Sequence, residues 1–340
     1  MTAVHATAPG KLFVLGEYAV LDSCPAIIAA LEPGVRVLAE PQTHPRGTWV
    51  SLPQYGVHTA LEELSAPAPI GNALRFVTAC FAGLSAAERF RLPTGLHLQI
   101  EFPEYFGRPQ KVGLGGSAAL VTAISAVLIE MAYGRGATEE MTDLVYQRAV
   151  TAHRRAQGGR GSGGDVAASV YGGAILFEPE AEDVGITHLK WPEHLRLIVG
   201  WSGRSASTSA LIEAYERAKQ THPTVHQQFL DDSIQAVANF ASALHGSGNA
   251  LHIWAQAAEV LPAFAARARL PYLTTELETL LTAAKQAGSA AKPSGAGGGD
   301  CAIALSTHEA AAQVAQAWQH LGFPALVAAP SAEGVYCAQA

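Results

Sequence analysis

Short apolar runs alternate along this chain with longer stretches in which apolar residues recur every three or four positions. Lys11–Leu15, Ile27–Leu31, Val35–Ala39 and Leu96–Glu101 predict strands. In the last, Leu96, Leu98 and Ile100 alternate with His97, Gln99 and Glu101, which predicts a strand with one covered face. Helical spacing predicts helices over Ala73–Phe81, Ser117–Tyr133 and Thr138–Arg155. Strands are predicted again at Ala174–Phe177 and Leu195–Gly200. Beyond them helices dominate, over Ser207–Gln220, Val225–His245, Ala250–Arg267, Thr274–Ala287 and His308–Leu321, with strands at Ala302–Leu305 and Ala325–Ala328. The pattern is α+β, with exposed loops expected at Ser65–Gly71 and Ser289–Gly299.

Chemistry concentrates where glycines interrupt this pattern. Lys111-Val-Gly-Leu-Gly-Gly-Ser-Ala-Ala119 places a glycine-rich turn directly before an apolar helix. Gly113, Gly115 and Gly116 let the backbone approach an anion, and the first helical turn aims unpaired N–H groups at the same place. Gly113, Leu114, Gly115, Gly116, Ser117 and Ala118 are the candidate phosphate-binding residues, with Ser117 able to bind a phosphate or Mg²⁺ through its hydroxyl. Two further glycine-rich segments flank it in the chain. Ala8-Pro-Gly-Lys-Leu-Phe-Val-Leu-Gly-Glu-Tyr-Ala-Val-Leu21 puts a lysine after a turn, and Lys292-Pro-Ser-Gly-Ala-Gly-Gly-Gly-Asp-Cys-Ala-Ile-Ala-Leu305 feeds a short buried strand.

Three such segments in this order resemble the three motifs of the GHMP kinases, the superfamily of galactokinase, homoserine kinase, mevalonate kinase and phosphomevalonate kinase. The resemblance runs from about Ala8 to Leu305. Ala152-His-Arg-Arg-Ala-Gln-Gly-Gly-Arg-Gly-Ser-Gly-Gly-Asp-Val-Ala-Ala-Ser-Val-Tyr-Gly-Gly173, Gly200-Trp-Ser-Gly-Arg-Ser-Ala-Ser-Thr-Ser209 and the lysine before the phosphate loop are most similar to the phosphomevalonate kinase form. One residue departs from it: Gly116 stands where the family's loop usually has a first serine.

The resemblance implies a two-lobed fold, with an N-terminal lobe like ribosomal protein S5 domain 2 (residues 1–190) and a ferredoxin-like C-terminal lobe (191–340). The boundary is expected within Glu180–Leu195 and the active site in the cleft. It implies ATP-dependent phosphorylation of 5-phosphomevalonate with Mg²⁺. Mevalonate kinase activity is the alternative within the superfamily, and a catalytically silent metabolite sensor the alternative of another class.

It also implies roles for individual residues. Lys11, otherwise readable as a solvated lysine after a turn, becomes a cation near the transferred phosphoryl group. Asp165, otherwise a cap for Val166–Val170, becomes the active-site carboxylate paired with Lys11. Lys111 is expected at the acceptor's phosphate. Ser205 and Ser207 are expected to contact substrate, a helix cap being the other reading of Ser207, and Ser294, Gly295, Ala296 and Gly297 are expected to wall the acceptor site. Arg204, Arg160 and Lys292 are the remaining cations inside these segments. Mevalonate kinases carry an acidic metal ligand upstream of the aspartate loop, but residues 144–164 contain no acid here, so Ser117 is the expected metal ligand, with Asp165, nucleotide oxygens and water completing the shell.

Composition changes this picture little. The 340 residues are 49% hydrophobic and 15% charged, enough for a substantial core. A net charge of −7 without a basic patch argues against nucleic-acid or acidic-membrane partners. Cys24, Cys80, Cys301 and Cys337 lack metal-ligand spacing and read as thiols in a reducing compartment, and His153 has no partner at metal spacing. The uncharged stretch Ser117–Ile129 is too short to span a bilayer. A cytoplasmic enzyme with small-molecule substrates is expected, its oligomeric state unread.

Overall fold

The computed structural model describes residues 2–43, 47–63, 70–105, 112–134, 138–179 and 184–340. Two mixed layers carry the fold. The first sheet has eight strands, in the order β12 (Tyr336–Gln339), β1 (Val4–Leu15), β2 (Ala26–Pro41), β5 (Gly95–Glu101), β3 (Gly47–Leu52) and β4 (Val57–Ala60), with β6 (Ala174–Pro179) on β2 and β7 (Val184–Leu189) on β6. The chain's last strand therefore returns to pair with its first. The second sheet is antiparallel, in the order β11 (Ala325–Ala328), β8 (Leu195–Trp201), β10 (Cys301–Thr307) and β9 (Ala291–Pro293).

The runs Ile27–Leu31 and Val35–Ala39 belong to one long strand, β2. Its first half shows no alternation because it is buried on both faces. Ile28 packs into the helical side of the sheet, whereas Ile27, Ala29 and Leu31 face the second sheet and the helices beyond it. On β1 the pairing with β2 shifts register between Ala8 and Gly10, and inward parity changes there. Ala6 and Ala8 face the helical side before the irregularity, and Phe13 after it. Lys11 shares the parity of Phe13, so its side chain runs toward α3 (Gly116–Tyr133).

The helical side holds α1 (Ile70–Ala82), α2 (Ala86–Arg91), α3, α4 (Glu139–Ala156) and α5 (Gly164–Tyr171). By length and composition α3 could cross a membrane, but two-thirds of it (67%) is buried in the protein as a core helix. After β8 come α6 (Thr208–Thr221), α7 (Pro223–Leu244), α8 (Ala250–Ala257), α9 (Val260–Ala268), α10 (Thr275–Gln286) and α11 (His308–His320). The single helix expected over Ala250–Arg267 is two, the second opening with Pro262 in its first turn, where a missing N–H does no harm. The exposed loop expected at Ser289–Gly299 is largely covered: it contains β9, and Ser289, Lys292, Pro293, Gly297 and Gly299 are buried.

Candidate active site

The candidate phosphate loop is built against β1. Gly113 and Gly115 hold φ of 83° and 82°, a region costly for any residue with a Cβ. A Cβ on Gly115 would lie 2.6 Å from Lys11 Cγ and 2.8 Å from the Lys11 nitrogen. The Lys11 N–H donates to the Leu114 carbonyl at 2.9 Å. Loop and lysine are thus one packed unit, which is why the loop needs glycine there. Gly115 is the N-cap of α3 and no side chain caps that end, so its first amides, including those of Gly116, Ser117 and Ala118, point out of the helix without a side-chain partner. The Lys11 amino group sits 5.1 Å from the centre of the Phe13 ring.

Asp165 stands in the first turn of α5, where Gly163, at φ 92°, is the N-cap. Its Oδ1 accepts from the Val166 amide at 3.0 Å. Its Oδ2 lies 3.7 Å from His153 Nε2, and the same nitrogen is 3.2 Å from Ser117 Oγ. The expected ion pair between Lys11 and Asp165 is not formed: the acid's near neighbour is His153. His153, on α4, is the site residue that composition and spacing missed. Its signal was local, a histidine twelve residues before the aspartate in the same glycine-rich segment, but only folding brings it under the mouth of α3.

The third glycine-rich segment closes the site from the other side, through contacts to β1 and to the residues that follow it. Ser294 Oγ donates to the Phe13 carbonyl at 2.9 Å, Gly295 N–H to Glu17 Oε1 at 3.3 Å, and the Tyr18 hydroxyl to the Ala296 carbonyl at 2.7 Å. Gly297 backs onto the ring of Tyr272. Asp300, also unforeseen, packs its Cβ against Gly113 and accepts the Ala206 amide on Oδ1 at 3.1 Å, joining phosphate loop, third motif and the Ser202–Ala206 turn. Cys301 Sγ donates to the Val112 carbonyl at 3.0 Å. Ser207 is the N-cap of α6 without capping through its side chain, its hydroxyl lying 3.4 Å from that of Ser209. Ser205 lies two residues before it in the same turn, and Lys111 lies outside the described residues.

The three remaining cations of these segments are already matched to acids. Arg204 pairs with Glu276 at 3.0 Å and Arg160 with Glu213 at 3.6 Å. Lys292 is 1% exposed and paired with Glu17, itself 4% exposed. Burial pushes the Glu17 carboxyl up and the Lys292 amine down, and each opposes the shift of the other. Lys292 is thus a tie between the first and third motifs. Lys11 enters no ion pair among the described residues and is left as the available cation beside the loop.

Residues 76–173 match the model of the GHMP kinases N terminal domain and residues 240–322 that of the GHMP kinases C terminal. The chain is 32% identical to phosphomevalonate kinase from Streptomyces sp. (strain CL190), over 96% of this chain and 97% of that one. It belongs to the GHMP kinases. It is a kinase, a phosphotransferase with the α+β fold of that superfamily. Mevalonate kinase from Methanothermobacter thermautotrophicus is 26% identical, covering 88% of this chain and 89% of that one. Among solved structures, Streptococcus pneumoniae phosphomevalonate kinase in complex with phosphomevalonate and AMPPNP aligns with a TM-score of 0.76 at 22% identity, over 96% of this chain and all of that one.

Among the described residues, no three His, Cys, Asp or Glu side chains are grouped to hold a metal. Mg²⁺ does not need such a cage. It favours one or two protein oxygens completed by phosphate oxygens and water. The Ser117 hydroxyl and the Asp165 carboxylate, gathered around His153 Nε2, fit that demand.

Proposed function

We propose that this kinase uses ATP and Mg²⁺ to phosphorylate 5-phosphomevalonate, giving 5-diphosphomevalonate in the mevalonate pathway. The observation that carries the reading is the joint placement of an uncapped α3 N-terminus, Lys11 packed on its glycine loop, and Ser117 and Asp165 meeting at one imidazole. Such a site suits phosphates, and Lys11 is the lysine that packs on its glycine loop. The similarity to a phosphomevalonate kinase over nearly the whole chain supports the choice of acceptor.

Phosphoryl transfer requires two anions brought into line with their repulsion offset. The amides at the start of α3 hold nucleotide phosphates, and Lys11 offsets charge where the two phosphates meet. Ser117 and Asp165 would hold Mg²⁺, which would supply positive charge to offset that of the nucleotide's phosphates. A phosphate monoester has its second pKa near ~6 and is mostly dianionic at neutral pH, so its attacking oxygen needs no base. Asp165 therefore positions rather than deprotonates. We assign Ser205, Ser207, the Ser294–Gly297 wall and Lys111 to binding of the acceptor.

Mevalonate is the competing acceptor, supported by similarity to mevalonate kinases. It would present a hydroxyl and require Asp165 as a base. ADP release measured side by side with phosphomevalonate, mevalonate and galactose separates the readings. Phosphomevalonate should be preferred by at least two orders of magnitude in kcat/KM, and a preference for mevalonate overturns the assignment.

A further inference from the structure

Resting on this reading of the site, we infer that His153 is a positioning residue that fixes the direction of the Ser117 hydroxyl and keeps the Asp165 carboxylate free for the metal-bound nucleotide. The imidazole is 2% exposed and stacked on the Phe76 ring, with centroids 5.3 Å apart and planes 25° from parallel. It cannot turn without disturbing the core beneath α1. One turn further along, Gln157 directs its amide nitrogen to the same Nε2 at 3.2 Å. With the amide assigned in this orientation, Nε2 is the acceptor, its single lone pair shared by the Gln157 amide and the Ser117 hydroxyl, and the ring proton is assigned to Nδ1.

Two consequences follow from that assignment. Ser117, 3.2 Å from the nitrogen, gives its hydroxyl proton to Nε2 and keeps its oxygen lone pairs for a cation. Asp165 Oδ2, 3.7 Å from a nitrogen that carries no proton, receives no hydrogen bond from it and is not neutralised by it. A serine in a first helical turn otherwise tends to bond locally to backbone or to a nearby carboxylate. Either choice would turn the Ser117 lone pairs away or occupy Asp165. With residues 144–164 free of acid, this histidine organises the metal side of the site.

The test compares His153→Leu, which has no acceptor, with His153→Gln, whose amide oxygen reaches about as far as Nε2. Binding of Mn²⁺ to the enzyme with AMPPNP is read by electron paramagnetic resonance, and the Mg²⁺ needed for half-maximal ADP release by kinetics. His153→Leu should weaken Mn²⁺ binding and raise the Mg²⁺ requirement about tenfold, the scale of one lost hydrogen bond, with the acceptor KM changed less than twofold. His153→Gln should recover most of the loss. In a Ser117→Ala background, His153→Leu should add nothing further. Unchanged Mn²⁺ binding, equal damage from leucine and glutamine, or full additivity with Ser117→Ala would each overturn the inference. If the leucine variant does not fold, His153→Asn, too short to reach Ser117, replaces it. Mn²⁺ binding needs no acceptor, so an error in the acceptor assignment leaves this outcome intact and shows only in the choice between phosphomevalonate and mevalonate.

Discussion

Replacing Lys292 by methionine tests whether the buried pair with Glu17 ties the first and third motifs together. The side chains are nearly isosteric, and both partners lie almost wholly out of solvent. A bare carboxylate left in that place would be costly, so Glu17 should take up a proton instead. Protonating it at pH 7, starting from an ordinary value of 4.5, costs about 3.4 kcal/mol at ~1.4 kcal/mol per pH unit. The Gly295 amide that donates to the same oxygen loses a charged partner as well. Lys292→Met should therefore destabilise by about 3–4 kcal/mol at pH 7, lowering Tm by roughly 4–6 °C in a chain of this size. The sign of the pH dependence follows. In the variant the folded pKa of Glu17 is raised far above its unfolded value, so the deficit is present above the unfolded pKa and shrinks as pH falls toward 5. Glu17→Gln combined with Lys292→Met removes the titrating group and should recover most of the loss. Thermal unfolding followed by circular dichroism between pH 5 and 8 decides the matter. A deficit below about 1 kcal/mol, one that does not change with pH, or a double variant as unstable as the single one would refute the reasoning.

Gly115→Ala should reduce kcat/KM at least tenfold through strain of about 1–3 kcal/mol at φ 82° and a Cβ driven into Lys11. Gly134→Ala, at the other end of α3 with φ 61° and nothing within 4 Å, serves as the control and should leave kinetics unchanged. Asp22 is pushed up by burial but pulled further down by hydrogen bonds from Lys219 and Tyr215 and by the charges of Lys219 and His226, so its folded pKa is net depressed. Its contribution is present above the unfolded carboxylate pKa and lost as pH falls through the folded one, and Asp22→Asn should flatten the acid side of the Tm–pH curve. Lys111→Ala should lower kcat/KM for phosphomevalonate about tenfold while changing ATP affinity less, as expected for one lost charge-assisted contact. Steady-state kinetics with each substrate varied in turn checks it, and an unchanged acceptor efficiency removes Lys111 from the site.

Much of the fold was legible because its signals are local. Leu96–Ile100 alternates because one face of β5 is covered, and α3 reads as an apolar helix because it is buried nearly all round. The need for glycine in the candidate phosphate loop was legible too, and at Gly115 the structure gives a packing reason in the approach of Lys11. What escaped was set by long-range pairing. β12 is four residues long, and its pairing with β1 comes from opposite ends of the chain. The break between α8 and α9 keeps its apolar rhythm, and only Pro262 marked it. Lys292 and Glu17 sit 275 positions apart, so no local pattern joins them. His153 lacked a partner at metal spacing because its partners, Ser117 and Asp165, belong to other helices.

The central claim, that the phosphoryl group is transferred to a phosphate and not to a hydroxyl, is tested most directly by ³¹P nuclear magnetic resonance of the product made from phosphomevalonate and ATP. The account predicts two mutually coupled resonances of a new P–O–P linkage, appearing in step with ADP, and their loss in Lys11→Met. A second uncoupled monoester resonance, or product formed only from mevalonate, would contradict it.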